Sequence, residues 1–286
     1  MSTPGTVSKI LWHFTGGPLW DSKQQKQETT PKPANKAYEI LKSIISSKEL
    51  RISSYSELIK VIIPETYVYN KETRARELKY NVEREIKSSK VCCLADIPIQ
   101  HLEYHSLRYG KFAIGFHRQS AIDHKFNPVL YSLHTSQLIN SIYSGFTEID
   151  GIDTEYIKSE LSNIENELNN IEDEIYDLNS DTTHINIDTS ITYNAENEAD
   201  ALDNAIDYAR DSIEDIVSFI KTFNDDEFSS IYSEREWRSL KQFNFSLNDI
   251  AMIVLPRDGG YFDKLISSNL VPKNIPIIPW EDLIEH

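Results

Sequence analysis

The stretch Ser8-Lys-Ile-Leu-Trp-His-Phe14 consists mainly of bulky apolar and aromatic residues and stops at Thr15-Gly16-Gly17-Pro18. Such a run, closed by a Gly-Pro turn, is typical of a buried strand. Similar apolar runs of strand length recur along the chain, at 91–95, 112–116 and 250–256. Apolar residues at helical spacing fall between them, at 37–48 and 99–108. The sequence therefore predicts an α+β body.

Length and composition exclude several classes of protein. The chain has 286 residues, 40% hydrophobic and 26% charged, which suits a globular protein with a buried core. Its apolar runs, such as Val61 to Ile63, are far shorter than the roughly 18 to 20 residues of a bilayer span. The N-terminus has no secretory signal pattern, and the adjacent Cys92 and Cys93 cannot build a disulfide framework. We therefore expect a cytoplasmic protein with no membrane partner.

Charge is distributed unevenly along the chain. Residues 1–130 hold 20 basic and 13 acidic side chains, whereas residues 131–286 hold nine basic and 32 acidic ones. Most of the excess lies in residues 147–231, where 24 acidic side chains accompany three basic ones. This block would suit a basic partner, while the mildly basic remainder would attract phosphates. A solvated acidic helical face is the simpler alternative.

A heptad seam accompanies the acidic block. Apolar residues step by three and four positions at Leu161, Ile164, Leu168, Ile171, Ile175 and Leu178. Residues 180–195 interrupt the pattern, and apolar residues at helical spacing then return between 201 and 220. The sequence predicts an antiparallel helical hairpin at 147–231, inserted into a body formed by 1–146 and 232–286. Residues 72–89 are expected to form a charged helix of the body.

His13 and Thr15, at the end of the first predicted strand, are the first candidate site residues. A neutral imidazole offers one hydrogen-bond donor and one acceptor, which suits a ribose diol. A structural core histidine is the alternative interpretation.

The second candidate is the segment Ser233-Glu-Arg-Glu-Trp-Arg238. On a strand, Glu234 and Glu236 would share one face and present two carboxylates side by side. Such a pair suits stabilisation of positive charge on a sugar ring and activation of an acceptor. The alternative is a charged edge strand.

The segment 99–110 carries Tyr104, His105, Arg108 and Tyr109. The tyrosines could stack on a planar ring and the arginine could meet a phosphate, or all could anchor a helix to the sheet. His101 and His105 share a helical face, but the surrounding residues do not complete a metal motif, so no metal site is expected.

Taken together, five motifs in this order resemble the AbiGi family of bacterial abortive phage-infection proteins. They are His13-Phe-Thr-Gly16, Val91-Cys-Cys-Leu-Ala-Asp-Ile-Pro98, His105 with Tyr109-Gly-x-Phe-x-Ile-Gly-Phe116, Asn127-Pro-Val-x-Tyr131, and Glu234-Arg-Glu-Trp-Arg238. That family looks distantly similar to ADP-ribosyltransferases. The resemblance implies a split β-sheet core that grips NAD, into which the helical hairpin is inserted.

Carried over to this sequence, the resemblance gives the site residues their roles. His13 would hold the nicotinamide-side ribose, with Thr15 beside it, and Tyr109 would flank the nicotinamide, with Tyr104 and His105 nearby. Glu236 would be the catalytic carboxylate and Glu234 its companion on the acceptor side.

The resemblance leaves three functions open. The first is an NAD-dependent ADP-ribosyltransferase toxin of an anti-phage toxin-antitoxin system, which modifies a nucleic acid, preferably RNA, or a protein, and which a cognate antitoxin neutralises through residues 147–231. The second is a non-catalytic antitoxin or regulator that binds its partner through the same acidic hairpin. The third is a sensor of a phage component. Of these three functions, we expect the first, the ADP-ribosyltransferase toxin.

Overall fold

The structure is a computed structural model that describes residues 8–21, 23, 26–28, 30–54, 56–181, 195–227 and 234–283. The chain divides into two compact units. Unit 1 comprises Met1–Ile139 and Asp215–His286, and unit 2 comprises Asn140–Glu214. Helices and sheets both contribute to the fold, which confirms the α+β prediction. The predicted boundaries of the insertion, 147–231, stay a prediction, and much of the predicted break at 180–195 lies outside the described residues.

The helices of the described residues are α1 Ala34–Ser47, α2 Leu102–Tyr109, α3 Arg118–Asp123, α4 Gln137–Asp150, α5 Thr154–Asp181, α6 Ala195–Val217 and α7 Tyr261–Ser267. The strands are β1 Ile10–Phe14, β2 Trp20–Asp21, β3 Lys26–Gln27, β4 Glu49–Leu50, β5 Leu58–Asn70, β6 Ala75–Lys87, β7 Cys92–Ala95, β8 Ala113–His117, β9 Asn127–Pro128, β10 Leu130–Leu133, β11 Ile220–Phe223, β12 Glu236–Ser239, β13 Phe243–Asn244, β14 Ile250–Leu255 and β15 Ile277–Pro279. The helices with the greatest length and the most charged residues are α5 and α6, and no helix in the described part of the chain has the apolar character of a membrane span.

A seven-stranded sheet in the order β15-β14-β8-β1-β7-β12-β9 forms the centre of unit 1. Its middle strand, β1, pairs antiparallel with β8 along its whole length, from Ile10 opposite His117 to Phe14 opposite Ala113. On its other side β1 forms one ladder pair with β7, Trp12 opposite Ala95, and β7 then pairs with β12 over four residues. The first predicted strand is therefore the axis of the fold.

Successive side chains of β1 point to opposite faces of the sheet, so the strand contributes to two hydrophobic cores, one on each face. Leu11 is fully buried with residues of α1, and Trp12 is 1% exposed in a separate core with Ile97 and Leu102. Burial of one such side chain stabilises the fold by about 1.5–3 kcal/mol. Because both faces of β1 are apolar, its sequence is a nearly continuous hydrophobic run.

The prediction of a charged helix at 72–89 is wrong, because this segment contains strand β6. β5 and β6 form a two-stranded antiparallel hairpin whose register runs from Leu58 opposite Lys87 to Asn70 opposite Ala75. The apolar residues Leu78, Val82 and Ile86, with Tyr80 between the first two, all lie an even number of residues apart, which is the strand period. The many Glu, Lys and Arg residues favour a helix by propensity alone. Pairing with β5, which is rich in β-branched residues, outweighs this preference.

Unit 2 contains most of α4, together with α5 and most of α6. Asp153 caps the start of α5, because its Oδ1 accepts a hydrogen bond from the Tyr156 backbone N–H over 2.9 Å. Lys158, early in α5, forms an ion pair with Asp203 of α6, and Arg210, later in α6, reaches Asp150 at the end of α4. These ion pairs join α6 to α5 and to the end of α4.

Candidate functional site

A cavity of about 390 Å³ lies over strands β1, β7 and β12 of unit 1. Six of the seven predicted site residues contribute to its wall: His13, Thr15, His105, Tyr109, Glu234 and Glu236. The seventh, Tyr104, does not line the cavity. Its side chain is 55% exposed, and its ring meets the edge of the His105 ring with centroids 5.6 Å apart. The roles of these residues stay a prediction.

The cavity opens where β1 and β7 stop pairing. After the pair of Trp12 with Ala95, no further ladder pair joins these strands in the described residues. Nδ1 of His13 instead lies 3.2 Å from the carbonyl oxygen of Cys93. The imidazole thus continues the contact between the strands where backbone hydrogen bonds end.

This contact fixes the chemistry of His13. A carbonyl only accepts hydrogen bonds, so Nδ1 carries the proton and Nε2 is an acceptor in the neutral ring. Burial, together with the positive charge of Lys32, lowers the pKa of His13 to about 4, although the hydrogen bond to the Cys93 carbonyl opposes this shift. The ring is neutral at pH 7 and suits a ligand group that donates a hydrogen bond.

Thr15 and the aromatic side chains hold the cavity wall in place. The Thr15 hydroxyl donates to the carbonyl of Ala37 over 2.8 Å, which ties the end of β1 to helix α1. The His105 ring is stacked on Tyr109, with centroids 6.3 Å apart, and lies 6.4 Å from the Phe14 ring. These contacts fit the alternative interpretation, in which α2 is anchored to the sheet by its aromatic residues.

Glu236 is a buried carboxylate with cations on two sides. Its Oε2 lies 2.9 Å from Nη2 of Arg238 and 3.3 Å from Nζ of Lys221. Burial alone would raise the pKa of this carboxyl, but the charges of Arg238 and Lys221 outweigh it and hold the pKa well below its usual range. Its backbone N–H donates to the hydroxyl of Tyr131 over 2.8 Å. Glu236 is therefore ionised and fixed in position.

Glu234 is also shared between several donors. Its Oε1 accepts hydrogen bonds from the Tyr109 hydroxyl at 2.8 Å and from Nη1 of Arg108 at 3.0 Å, and its Oε2 contacts Lys221. Burial raises the pKa of the Tyr109 hydroxyl above its usual range, and the Glu234 charge adds to this effect, so the phenol keeps its proton and acts as a donor. The two predicted carboxylates are thus joined by Lys221.

The resulting network is a chain of alternating charges. Arg238 is 0% exposed and also binds Glu57 at 2.6 Å and the Ser218 carbonyl at 2.8 Å. In order, the chain runs through Glu57, Arg238, Glu236, Lys221, Glu234 and Arg108. Three negative and three positive groups alternate, so the network is neutral as a whole.

Sequence reasoning missed most of the cations in this network. Arg238 stands two residues after Glu236 on the same strand face, so the Glu-x-Arg spacing could have indicated an ion pair. Lys221 and Glu57 lie far away in the sequence, and no local pattern around them signals the contact.

Unit 2 presents a second candidate surface, with the opposite electrostatic character. Residues 140–214 hold 20 acidic and two basic side chains, a net charge of −18, whereas the rest of the chain sums to +2. On α5, Ile164, Ile171 and Leu178 recur every seven residues and are 46%, 47% and 62% exposed. The other positions of the seam, Leu161, Leu168 and Ile175, are half-buried. The acidic helices therefore carry an exposed apolar stripe.

Comparisons with known proteins identify a family. A family model described as "Putative abortive phage resistance protein AbiGi, antitoxin" matches residues 56–259. No curated protein sequence and no solved structure shows significant similarity to the chain. The match confirms the predicted resemblance to this family. It spans the β5–β6 hairpin, the acidic helices and half of the residues that line the cavity, and His13 and Thr15 lie outside it.

The prediction of an ADP-ribosyltransferase toxin is wrong. The matching family is described as an antitoxin, which agrees with the alternative interpretation of a non-catalytic partner protein. The RNA acceptor belonged to the rejected activity and has no independent support. The error arose because the motifs at His13 and Glu236 fit a sugar-binding site, although His13 also serves as a contact between strands and Glu236 as part of a neutral ion-pair network.

Proposed function

Because the chain belongs to the AbiGi family, we propose that it is a non-catalytic antitoxin or regulator of an abortive-infection system, and that it binds a basic partner protein through unit 2. The observation that carries this proposal is the concentration of a net charge of −18 in residues 140–214. The remainder of the chain is almost neutral, so its residues do not compensate this charge.

The charge would guide the encounter with the partner. A strongly acidic surface attracts a basic one over about 10 Å at moderate ionic strength, and it repels partners of its own sign. A toxin that acts on nucleic acid or nucleotides needs a basic surface for phosphates. The acidic helices would occupy that surface and so block the toxin.

The exposed stripe would supply much of the binding free energy. Ile164, Ile171 and Leu178 are each about half exposed, so complete burial would contribute roughly 1 kcal/mol or more per side chain. Their heptad spacing fits an amphipathic helix of the partner laid along α5. The free energy would then come from apolar burial, and specificity from charge.

Co-expression tests the proposal. We would express the product of the neighbouring gene, with and without this chain, and follow growth and co-purification. The chain should be harmless alone, should suppress the toxicity of its neighbour and should co-purify with it. High salt should weaken the complex, because the attraction between exposed charges is screened.

Two triple variants separate the stripe from the rest of α5. Replacement of Ile164, Ile171 and Leu178 by serine should abolish suppression of toxicity and co-purification. Replacement of Asn163, Asn166 and Asn170, exposed polar residues of the same helix, by serine should leave both intact. Growth arrest by this chain alone, or full suppression by the stripe variant, would contradict the proposal.

The cavity of unit 1 supports a second, independent proposal. We propose that the sheet corresponds to an ADP-ribosyltransferase-like split core and that the cavity binds NAD without consuming it. Support comes from the opening between β1 and β7 and from the acceptor Nε2 of His13. Equilibrium dialysis with labelled NAD should show binding that His13→Asn weakens, and a wild-type chain that retains no NAD would contradict this proposal.

A further inference from the structure

The β5–β6 hairpin has an unpaired edge. β6 extends over 13 residues and pairs with β5 on one side only, among the residues that the structure describes. β5 has a further contact near its base, where the Ile62 N–H donates to the His134 carbonyl over 2.9 Å. An edge strand of this length presents a row of backbone donors and acceptors to any extended chain.

Charged residues dominate this edge strand. Between Ala75 and Lys87 it holds seven charged side chains: Arg76, Glu77, Lys79, Glu83, Arg84, Glu85 and Lys87. Charges on an edge normally prevent association, because an arbitrary partner strand leaves them unpaired. A partner with the complementary pattern would be accepted.

We propose that the partner of this edge is a second copy of the chain, which pairs β6 with β6 antiparallel about a two-fold axis at Val82. The arrangement would join the two hairpins into a four-stranded sheet, β5-β6-β6-β5. It is independent of the antitoxin function and of unit 2.

The proposed register matches the side chains of β6 with one another. Residues directly opposite each other in an antiparallel pair lie on the same face of the sheet, with Cβ atoms about 4.5–5.5 Å apart. With Val82 opposite the partner's Val82, the pairs on either side are Asn81 with Glu83, Tyr80 with Arg84, Lys79 with Glu85, Leu78 with Ile86, and Glu77 with Lys87. Two pairs are opposite charges, one is aliphatic, one is a cation beside an aromatic ring and one can form a hydrogen bond.

Neighbouring registers bring like charges together. Residues directly opposite each other must have side chains on the same face of the sheet. A two-fold axis perpendicular to the sheet therefore places one residue of β6 opposite the same residue of the other copy. An axis at Tyr80 would place Glu77 opposite Glu83, and one at Asn81 would place Glu77 opposite Glu85. An axis at Glu83 would place Lys79 opposite Lys87. The register at Val82 avoids all of these repulsions and still pairs residues 77–87.

The centre of the interface contains one irregular residue. Asn81 has a left-handed backbone, with φ 51°, and stands across the hairpin from Pro64. The pairing of β5 with β6 keeps the same register on both sides of this point. The segments 77–80 and 84–87 are regular strand, and the two-fold axis pairs them with each other.

Charge reversal provides the test. Lys79 and Glu85 face each other across the axis, so the single variants Lys79→Glu and Glu85→Lys each create two like-charge pairs in a homodimer. We would measure mass by light scattering and sedimentation equilibrium over a wide range of concentrations. The wild type should form a dimer of twice 33.0 kDa, and each variant should raise its dissociation constant about tenfold or more.

Mixing the two variants restores the complementary charges. In a heterodimer of Lys79→Glu with Glu85→Lys, both 79–85 pairs are opposite charges again, so the mixture should dimerise about as well as the wild type. This recovery would not occur if the substitutions merely disturbed folding. A wild type that is monomeric throughout, or a mixture that fails to dimerise, would overturn the proposal.

A disulfide checks the position of the axis. Opposite Cα atoms in an antiparallel pair are about 4.5 or 5.5 Å apart, within the range that a disulfide spans. Val82→Cys should therefore form a covalent dimer on mild oxidation. Val68→Cys, a half-exposed valine on β5 away from the axis, should not. Equal cross-linking of both variants would also overturn the proposal.

Discussion

Glu236 on β12 and the glutamates of α5 are the same side chain in opposite electrostatic surroundings. Glu236 is buried and has the cations Arg238 and Lys221 within 3.3 Å of its carboxylate. In unit 2, 20 acidic side chains share two basic ones, Lys158 and Arg210. The two regions differ in how many cations lie near each carboxylate, and this difference matters more than the number of carboxylates.

Because of this difference, the carboxylates have different roles in the two units. In the network of unit 1, each charged group has a partner of opposite sign, so the network holds β11, β12 and the segment around Glu57 together. In unit 2, Lys158 and Arg210 pair with Asp203 and Asp150, and the unit keeps a net charge of −18. The comparison predicts that substitutions in the network change stability strongly, whereas changes to the charge environment of unit 2 affect stability weakly.

The largest effect is expected from Arg238→Met. Arg238 is fully buried between Glu57 and Glu236, and its loss would leave two carboxylates without their main cation. Removal of one partner from a buried ion pair typically costs about 3–5 kcal/mol. Urea unfolding followed by tryptophan fluorescence should show a decrease of this size in the free energy of unfolding.

Arg257→Met is the matched control for this substitution. Arg257 also forms an ion pair, with Asp282 at 2.8 Å, but the side chains are 58% and 43% exposed. Exposed pairs contribute about 0–1 kcal/mol. If both arginine variants lost the same stability, the distinction between compensated buried charge and exposed charge would fail.

A smaller effect is expected from His13→Asn, and it depends on pH. The pKa of His13 is lowered from 6.5 to about 4 in the folded chain, so the unfolded chain binds more protons between these values. Stability is therefore complete above about pH 6.5 and decreases as pH falls toward 4. Between pH 7 and pH 4.5 the imidazole should account for about 2 kcal/mol of this loss.

The measurement is the free energy of unfolding at both pH values. The asparagine amide can still donate to the Cys93 carbonyl but does not titrate, so the variant should lose less stability on acidification than the wild type. His117→Asn removes an exposed imidazole at the end of β8 and should behave as the wild type does. Identical pH dependence of the wild type and His13→Asn would show that burial does not suppress the charge of this ring.

Local patterns in the sequence predicted the elements that depend on apolar spacing. The run at Ile10–Phe14 predicted the central strand, and the steps of three and four residues predicted α5. The prediction failed at β6, where charged residues obscured the two-residue period of the apolar ones. Neighbours in the sheet could not be predicted, because β7 and β12 are more than 100 residues apart in the sequence.

The site shows the same limit. His13 and Glu236 were found from their motifs, and both line one cavity. The ion pairs that give Glu236 its character depend on Lys221, which only the tertiary fold brings beside β12. Glu234 lies in a turn before β12, which begins at Glu236, so the two carboxylates do not share a strand face as predicted. A Glu-x-Glu pair looks the same in sequence whether it faces a substrate or cations of the same chain, so the sequence favoured a catalytic role that the family assignment does not support.

The smallest expected effect is the response of unit 2 to salt. Its uncompensated carboxylates repel one another along α5 and α6, by about 0.2–0.5 kcal/mol for each pair at helical spacing. An increase in ionic strength from about 0.05 M to about 0.5 M shortens the screening length from roughly 14 Å to about 4 Å and relieves this repulsion. Hydrogen exchange of the α5 and α6 amides should then slow about twofold. The amides of β7 and β12 serve as an internal control, because the charges beside them are buried and already paired, and their exchange should change less. Equal slowing in both regions would mean that salt acts on the whole chain rather than on the uncompensated charge of residues 140–214.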